Sequence, residues 1–278
     1  MNVSWHNIGL LIWKELLNAR RNRWYLFYVL IFTGLVLSLS WMGLAGVGTY
    51  KLSGFGRTTA SLVNLTLMII PLMGLTLGAM SLAQERENGT LLYVLAQPVS
   101  PTELLLGKFF GLSIALLSAL LIGFGISGYL IALKGGTSGF TDYLWLLAFA
   151  FLLALVSLAL GILLSSLFRK AEAAIGISVF AWLVLIFFSD LGMLATTLKW
   201  QLSIEQIFTL ALFNPLQVFR IGALLSIRHN LEVLGPVGLY AIRHYGHQLA
   251  WMLMALLAGW VTVLLGSTQI LFQRRGVI

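Results

Sequence analysis

Apolar runs of near-constant length, separated by short charged segments, set the pattern of this chain. Charge-free runs occupy Trp24–Tyr50, Thr58–Gln84, Phe109–Leu133 and Tyr143–Phe168. A fifth, Ala173–Ser189, continues past Asp190 through Leu191–Leu198, and the sixth is Gln248–Gln273. A bilayer core of about 30 Å takes about 20 residues of helix at 1.5 Å each. The pattern predicts an all-α integral membrane protein with six transmembrane helices at about residues 24–46, 60–84, 109–133, 143–168, 173–198 and 248–273, forming one domain over 1–278. Trp24–Gly46 is too long for a signal-peptide core and no cleavage site follows it.

Residues 4–23 precede the first span. Trp5, Ile8, Ile12, Trp13, Leu16 and Ala19 recur at helical spacing, with Asn7, Lys14, Asn18 and Arg21 opposite. This predicts an amphipathic helix lying in the membrane interface.

Composition supports the same class. Hydrophobic residues make up 59% and charged residues only 9% of the chain, against roughly 25% charged in soluble domains. That excludes a water-soluble globule. The absence of cysteine excludes disulfides, thiol catalysis and Cys-based zinc sites. A net charge of +8 suits anionic lipid rather than nucleic acid.

Lys and Arg also set orientation. Lys14, Arg20, Arg21, Arg23, Arg86, Lys108, Arg169, Lys170, Arg274 and Arg275 fall on the side of the termini. Lys51, Arg57 and Lys134 fall opposite, with Lys199, Arg220, Arg228 and Arg243 in one long segment that counts for less. Both termini are expected on the cytoplasmic side of a bacterial inner membrane.

Chemistry is sparse at depth. Asp190 is the one acid within a span, which argues against ion-coupled carriers, whose pathways retain buried acids and bases. Gly107-Lys108 imitates the end of a phosphate loop, but Phe109 and Thr102 break the motif. Gly125-Ile126-Ser127-Gly128 matches the Gly-x-Ser-Gly of rhomboid proteases, yet the sixth span offers no histidine base. Gly111, Gly123, Gly125 and Gly128 fit close helix packing better. His244 and His247, with His229 nearby, lack the acids or thiols of a strong metal set.

The long segment from Asp190 to His247 exceeds a simple turn. Leu202–Phe213 reads as a helix stopped at Asn214-Pro215. Asn214 then caps a second helix, with Pro215 at its first position and Gln217 at its third, through about Arg228. Gly235-Pro236 breaks the chain again. An outer helical hairpin is expected.

Gln84–Lys108 is the most informative stretch. The second span ends in Glu85, Arg86 and Glu87, and Gly89 supplies a left-handed stop. Leu91–Ala96 allows little more than one helical turn before Pro98. Ser100 with Glu103 forms a capping box, Pro101 between them. A short apolar helix therefore stands between two spans, and an apolar run such as Leu91-Leu92-Tyr93-Val94-Leu95 calls for a covering partner.

These residues resemble a family. Glu85-Arg86-Glu87-Asn88-Gly89-Thr90-Leu91, then Pro98-Val99-Ser100 and Leu104-Leu105-Leu106-Gly107-Lys108, are similar to the cytoplasmic coupling segment of ABC-2-type transporter permeases. Arg21-Asn22-Arg23-Trp24, Pro71-Leu72-Met73-Gly74-Leu75, Phe168-Arg169-Lys170, Asn214-Pro215 and Phe219-Arg220 extend the likeness over nearly the whole chain, especially to the permeases of nitrous-oxide-reductase maturation transporters. The resemblance implies a homodimer of a non-enzymatic subunit on two copies of an ATPase that holds ATP and magnesium. It also implies a periplasmic β-helical accessory subunit and a role in assembling the reductase's copper. Glu85, Arg86, Glu87, Gly89, Thr90, Leu91, Leu92, Leu95 and Pro98 then form the ATPase coupling site. Glu85 and Glu87 are expected to pair with bases on the ATPase, and the three leucines to fill its groove. Asn214, Pro215, Phe219, Arg220 and Arg228 are expected to dock the outer partner. This chain would carry no metal site and no cofactor. Export of a lipid, glycan or drug is the alternative, and a rhomboid-like protease the remote one.

Overall fold

The computed structural model describes residues 4–45, 54–135, 139–199, 203–226, 241, 244–246 and 248–275. Its labelled elements are α1 (Trp5–Arg21), α2 (Arg23–Ala45), α3 (Gly54–Glu87), α4 (Thr90–Leu95), α5 (Pro101–Gly135), α6 (Phe140–Leu167), α7 (Ala171–Lys199), α8 (Ile204–Leu212), α9 (Pro215–Ser226) and α10 (Gln248–Arg275). Among the described residues there is no strand. Six helices, α2, α3, α5, α6, α7 and α10, are long and apolar enough to cross a membrane.

The core is the pair α3 and α6. A methyl group on Gly78 would lie 2.5 Å from the Leu158 carbonyl, and one on Gly74 2.9 Å from that of Ala154. Gly161 faces the Leu75 carbonyl just as closely from α6. Small residues spaced four apart let the two backbones touch, and dispersion then replaces the hydrophobic drive that lipid cannot supply. Within α3, Pro71 removes one ladder N–H, and the Trp182 indole of α7 donates to the adjacent Met68 carbonyl at 3.0 Å.

Around this pair, α2 packs on α5 and α3, α7 on α3, and α10 on α6 and α9. Within its span α7 buries only 11% of its residues, against 61% in α3 and in α6. Phe180, Phe187 and Phe188 stand exposed along it.

Two expectations change. The inward stripe of α1 is Ile8, Leu11, Glu15 and Ala19, packed on α5. Trp5 and Trp13 face outward instead, because a large amphipathic ring gains more at an interface than in a tight helix seam. The outer pair of helices forms, but its second helix does not lie on the surface. Ser203 and Gln206 form a reciprocal capping box for α8, and Asn214 caps α9 by accepting the Leu216 N–H at 3.0 Å. The pair bends by 112° at that joint. Helix α9 then packs among α3, α6, α7 and α10, with Leu216, Gln217, Val218, Phe219 and Ala223 buried.

Replacing Gly78 or Gly161 by Ala forces α3 and α6 apart, because the clashing atoms are backbone. Each change should destabilise the protein by about 1–3 kcal/mol, read as a lower thermal midpoint of the purified protein in detergent. Gly125→Ala, where a methyl meets nothing within 4 Å, should leave the midpoint unchanged.

Candidate coupling site

The end of the bundle that carries α1 and the tail of α10 gathers most of the polar chemistry. Helix α3 stops at Glu87, and Gly89 takes the left-handed conformation (φ 71°) that lets α4 start at once in a new direction. Leu91 is 1% exposed and anchors α4 in the core, whereas Leu92 is 61% and Tyr93 78% exposed. The side chain of Leu95 lies outside the described residues. The outward apolar face of α4 is thus Leu92 with Tyr93, two members of the apolar run that calls for a covering partner.

Beneath α4 lies a buried charge network. Lys108, 1% exposed, binds Glu15 Oε1 at 2.9 Å and Glu85 Oε1 at 3.0 Å. Lys14 reaches the same Glu85 oxygen at 2.8 Å. Two glycines make this possible. A methyl on Gly107 would come within 2.5 Å of Leu11 Cβ, and one on Gly111 within 2.6 Å of Glu15 Cβ. Helix α1 therefore lies almost against the α5 backbone, which brings Glu15 within reach of the ammonium. Gly107-Lys108, which imitates a phosphate loop in sequence, is the seat of α1.

Glu85 and Glu87 both meet groups of this chain, and Glu87 remains exposed. Glu85 neutralises Lys108 and Lys14, and Glu87 accepts the Ala171 N–H at 2.9 Å, capping the start of α7. A carboxylate there also favours the positive end of the helix. Arg86 between them donates to the Phe168 carbonyl at 2.8 Å. The three charges thus clasp the α6–α7 joint on one side and α1 on the other. Thr90 bonds back to the Glu85 carbonyl at 3.2 Å. The exposed Pro98 gives its carbonyl to Asn7 at 3.2 Å.

The capping box of α5 forms as its sequence predicts. The Ser100 N–H donates to Glu103 at 2.8 Å, and the Glu103 N–H to Ser100 Oγ at 3.2 Å. Glu103 also accepts the Ser4 N–H at 2.6 Å, tying the start of α1 to α5. Gln269 of α10 donates to Thr102 at 2.6 Å. Four neighbours, α1, α5, α6 and α7, thereby meet around the α3–α4 joint, and α10 ties in at the start of α5.

At the far side the expected docking residues separate. Phe219 is fully buried and serves the chain's own packing, so it presents no surface to a partner. Arg220 lines a cavity of about 330 Å³ with Asn64, Met68, Trp182 and Leu216, between α3, α7 and α9. Asn214 is spent on the α9 cap, with Pro215 next to it at the first helical position. Arg228, His229 and His247 lie outside the described residues. The His244 ring meets Tyr245 edge-on at 4.9 Å. Ser127, the serine of the protease motif, is fully buried and shares a short hydrogen bond with Ser40. It is a packing serine.

The description "ABC-2 family transporter protein" belongs to a family model that matches residues 10–277. The chain belongs to this family. Two curated relatives are similar over almost their whole length. One, from Stutzerimonas stutzeri, is 31% identical over 281 residues, covering 99% of each chain. Another, from Pseudomonas aeruginosa, is 32% identical over 272 residues, covering 95% of this chain and 97% of the relative. Both carry the name probable ABC transporter permease protein NosY. This ABC-2 permease is a multi-pass membrane subunit of NosY type, of a family that works with an ATPase partner.

The buried network yields a stability test. Lys108→Met strands Glu15 as an uncompensated buried acid and leaves Glu85 to Lys14 alone, and it should cost the ABC-2 permease about 3–5 kcal/mol, read by thermal unfolding in detergent. Adding Glu15→Gln and Glu85→Gln to that variant should recover most of the loss.

Proposed function

We propose that this permease docks an ABC ATPase through α4 and passes ATP-driven motion into the spans. The single observation that carries this reading is the outward Leu92–Tyr93 face on a helix whose base is locked by Glu85, Arg86 and Glu87. An exposed apolar pair on such a platform wants a groove, and the locked base prevents the platform from yielding when pushed. In this reading the acids hold the platform rigid instead of binding the ATPase. ATP and magnesium belong to the ATPase, and this chain hydrolyses nothing.

The assembly is two copies of this chain on two ATPase copies in a bacterial inner membrane, termini cytoplasmic. The aromatic face of α7, left open by the protomer, supports a second copy there. Likeness to NosY over the whole length supports service in the maturation of nitrous-oxide reductase, with a periplasmic β-helical subunit on the outer side and copper handled by that partner. Copper(I) prefers clustered thiolates or thioethers, and this chain has no cysteine. Export of a lipid, glycan or drug is the second reading, favoured by the cavity beside Arg220 and Asn64.

Leu92→Asp with Tyr93→Asp should weaken ATPase binding about tenfold or more, a loss of about 1.4 kcal/mol at least, while the variant elutes and melts like the wild type. Unchanged ATPase affinity would refute docking through α4. Deleting the permease should leave the reductase without its copper. Normal copper loading in the deletion strain would transfer the role to export.

A further inference from the structure

Three arginines crowd the bend between α1 and α2. Arg20 and Arg21 close α1, Asn22 adopts an extended conformation, and Arg23 opens α2. The Trp24 N–H donates to Asn22 Oδ1 at 2.9 Å, so the bend is locally capped. All three arginine side chains are exposed, and none has a carboxylate partner among the described residues. The sequence explains why. Between Met1 and Gln84 the sole acid is Glu15, and Lys108 has taken it. Three positive charges within four residues are left to repel one another.

Their surroundings are apolar and aromatic. Trp13 (64%) and Leu17 are exposed on α1, and Trp24 (50%), Leu26 and Phe27 on the first turns of α2. Tryptophan prefers the headgroup level of a bilayer, and α2 is long enough to continue across the hydrocarbon. Clustered arginines bounded by such rings, where a spanning helix begins, match the chemistry of a lipid phosphate held at the interface.

We propose that the α1–α2 bend is a binding site for anionic phospholipid headgroups, with Arg20, Arg21 and Arg23 holding the phosphate, and that its occupancy stiffens the platform beneath α4. The second clause rests on the coupling function proposed above. Helix α1 carries Arg20 and Arg21 near its end and, less than two turns earlier, Lys14 and Glu15, which bind Glu85 and Lys108. A headgroup that fixes the end of α1 therefore holds in place the carboxylate that neutralises Lys108. An acidic protein surface is the rival occupant. It fits worse, because a partner arriving from water would have to cover Leu26 and Phe27 on a membrane-length helix.

The test uses the purified full-length permease in neutral detergent, offered equal amounts of phosphatidylglycerol and phosphatidylcholine. Retained lipid is counted by native mass spectrometry. The wild type should retain phosphatidylglycerol about tenfold over phosphatidylcholine, Arg20→Gln/Arg21→Gln/Arg23→Gln should lose that preference, and Arg20→Lys/Arg21→Lys/Arg23→Lys should keep most of it. Absence of preference in the wild type, or its survival in the Gln variant, overturns the site. So does loss of preference in the Lys variant, and so does a Gln variant that loses ATPase affinity in lipid-free detergent, which would place a protein there. With the ATPase added in vesicles, stimulation that rises with phosphatidylglycerol in the wild type but not in the Gln variant supports the stiffening clause. Stimulation that ignores phosphatidylglycerol overturns that clause. A complex that never stimulates its ATPase sinks the coupling function while leaving the lipid preference intact.

Discussion

Burying one lysine ammonium is the constraint on which the base of this permease depends. Lys108 loses almost all contact with water, and removing an ion from water costs several kcal/mol that only well-placed opposite charge offsets. Neither of the acids that offset it belongs to α5: Glu15 comes from α1 and Glu85 from the end of α3. The charge can stay buried only while three helices keep one arrangement. Hydrophobic packing alone would tolerate sliding of α1 along α5, but a shared carboxylate oxygen does not.

In the proposed coupling role, that arrangement distributes load. A force on α4 enters the bundle at the α3–α4 joint and finds two exits. On one side Glu85 leads to α1 and α5, and on the other Arg86 and Glu87 lead to the α6–α7 joint. Beyond the joint, α3 is in backbone contact with α6 through Gly74, Gly78 and Gly161. Close-packed backbones transmit displacement without the slack of long side chains. Under the proposed docking through α4, the segment from Glu85 to Lys108 is both the contact face and its mounting.

Much of this was legible in the sequence, for physical reasons. The spans follow from charge-free runs of bilayer length, and helices such as α5 overrun them at capped ends, as Ser100 and Glu103 announce. Asn214-Pro215 marked the start of α9 correctly. The direction taken by each acid was not legible, because Glu85 and Glu87 are two residues apart near a helix end and nothing local says which neighbour each will meet. One signal was available. Glu15 falls on the stripe of Ile8, Leu11 and Ala19, and an acid on an apolar face calls for a buried base. Tryptophans obscured that stripe, since Trp5 and Trp13 count as apolar yet face outward. The insertion of α9 was also hidden, because a twelve-residue helix has the same length on a surface as inside a bundle. Phe219 and Arg220 therefore part company, one into the core and the other to a cavity.

The seat of α1 on Gly107 and Gly111 also orders events during synthesis. Glu15 is made 93 residues before Lys108, and ribosomes add roughly 5–20 residues per second, so α1 waits on the order of 5–20 s for its partner. Through that interval its exposed tryptophans and arginines can rest at the bilayer surface while α2 and α3 insert. Only when α5 arrives do the two glycines open a place and the ammonium a reason to occupy it. Helix α1, made before α2, α3 and α5, is then among the later ones to find its final position, and its amphipathic character does a second service as a holding device for nascent chain.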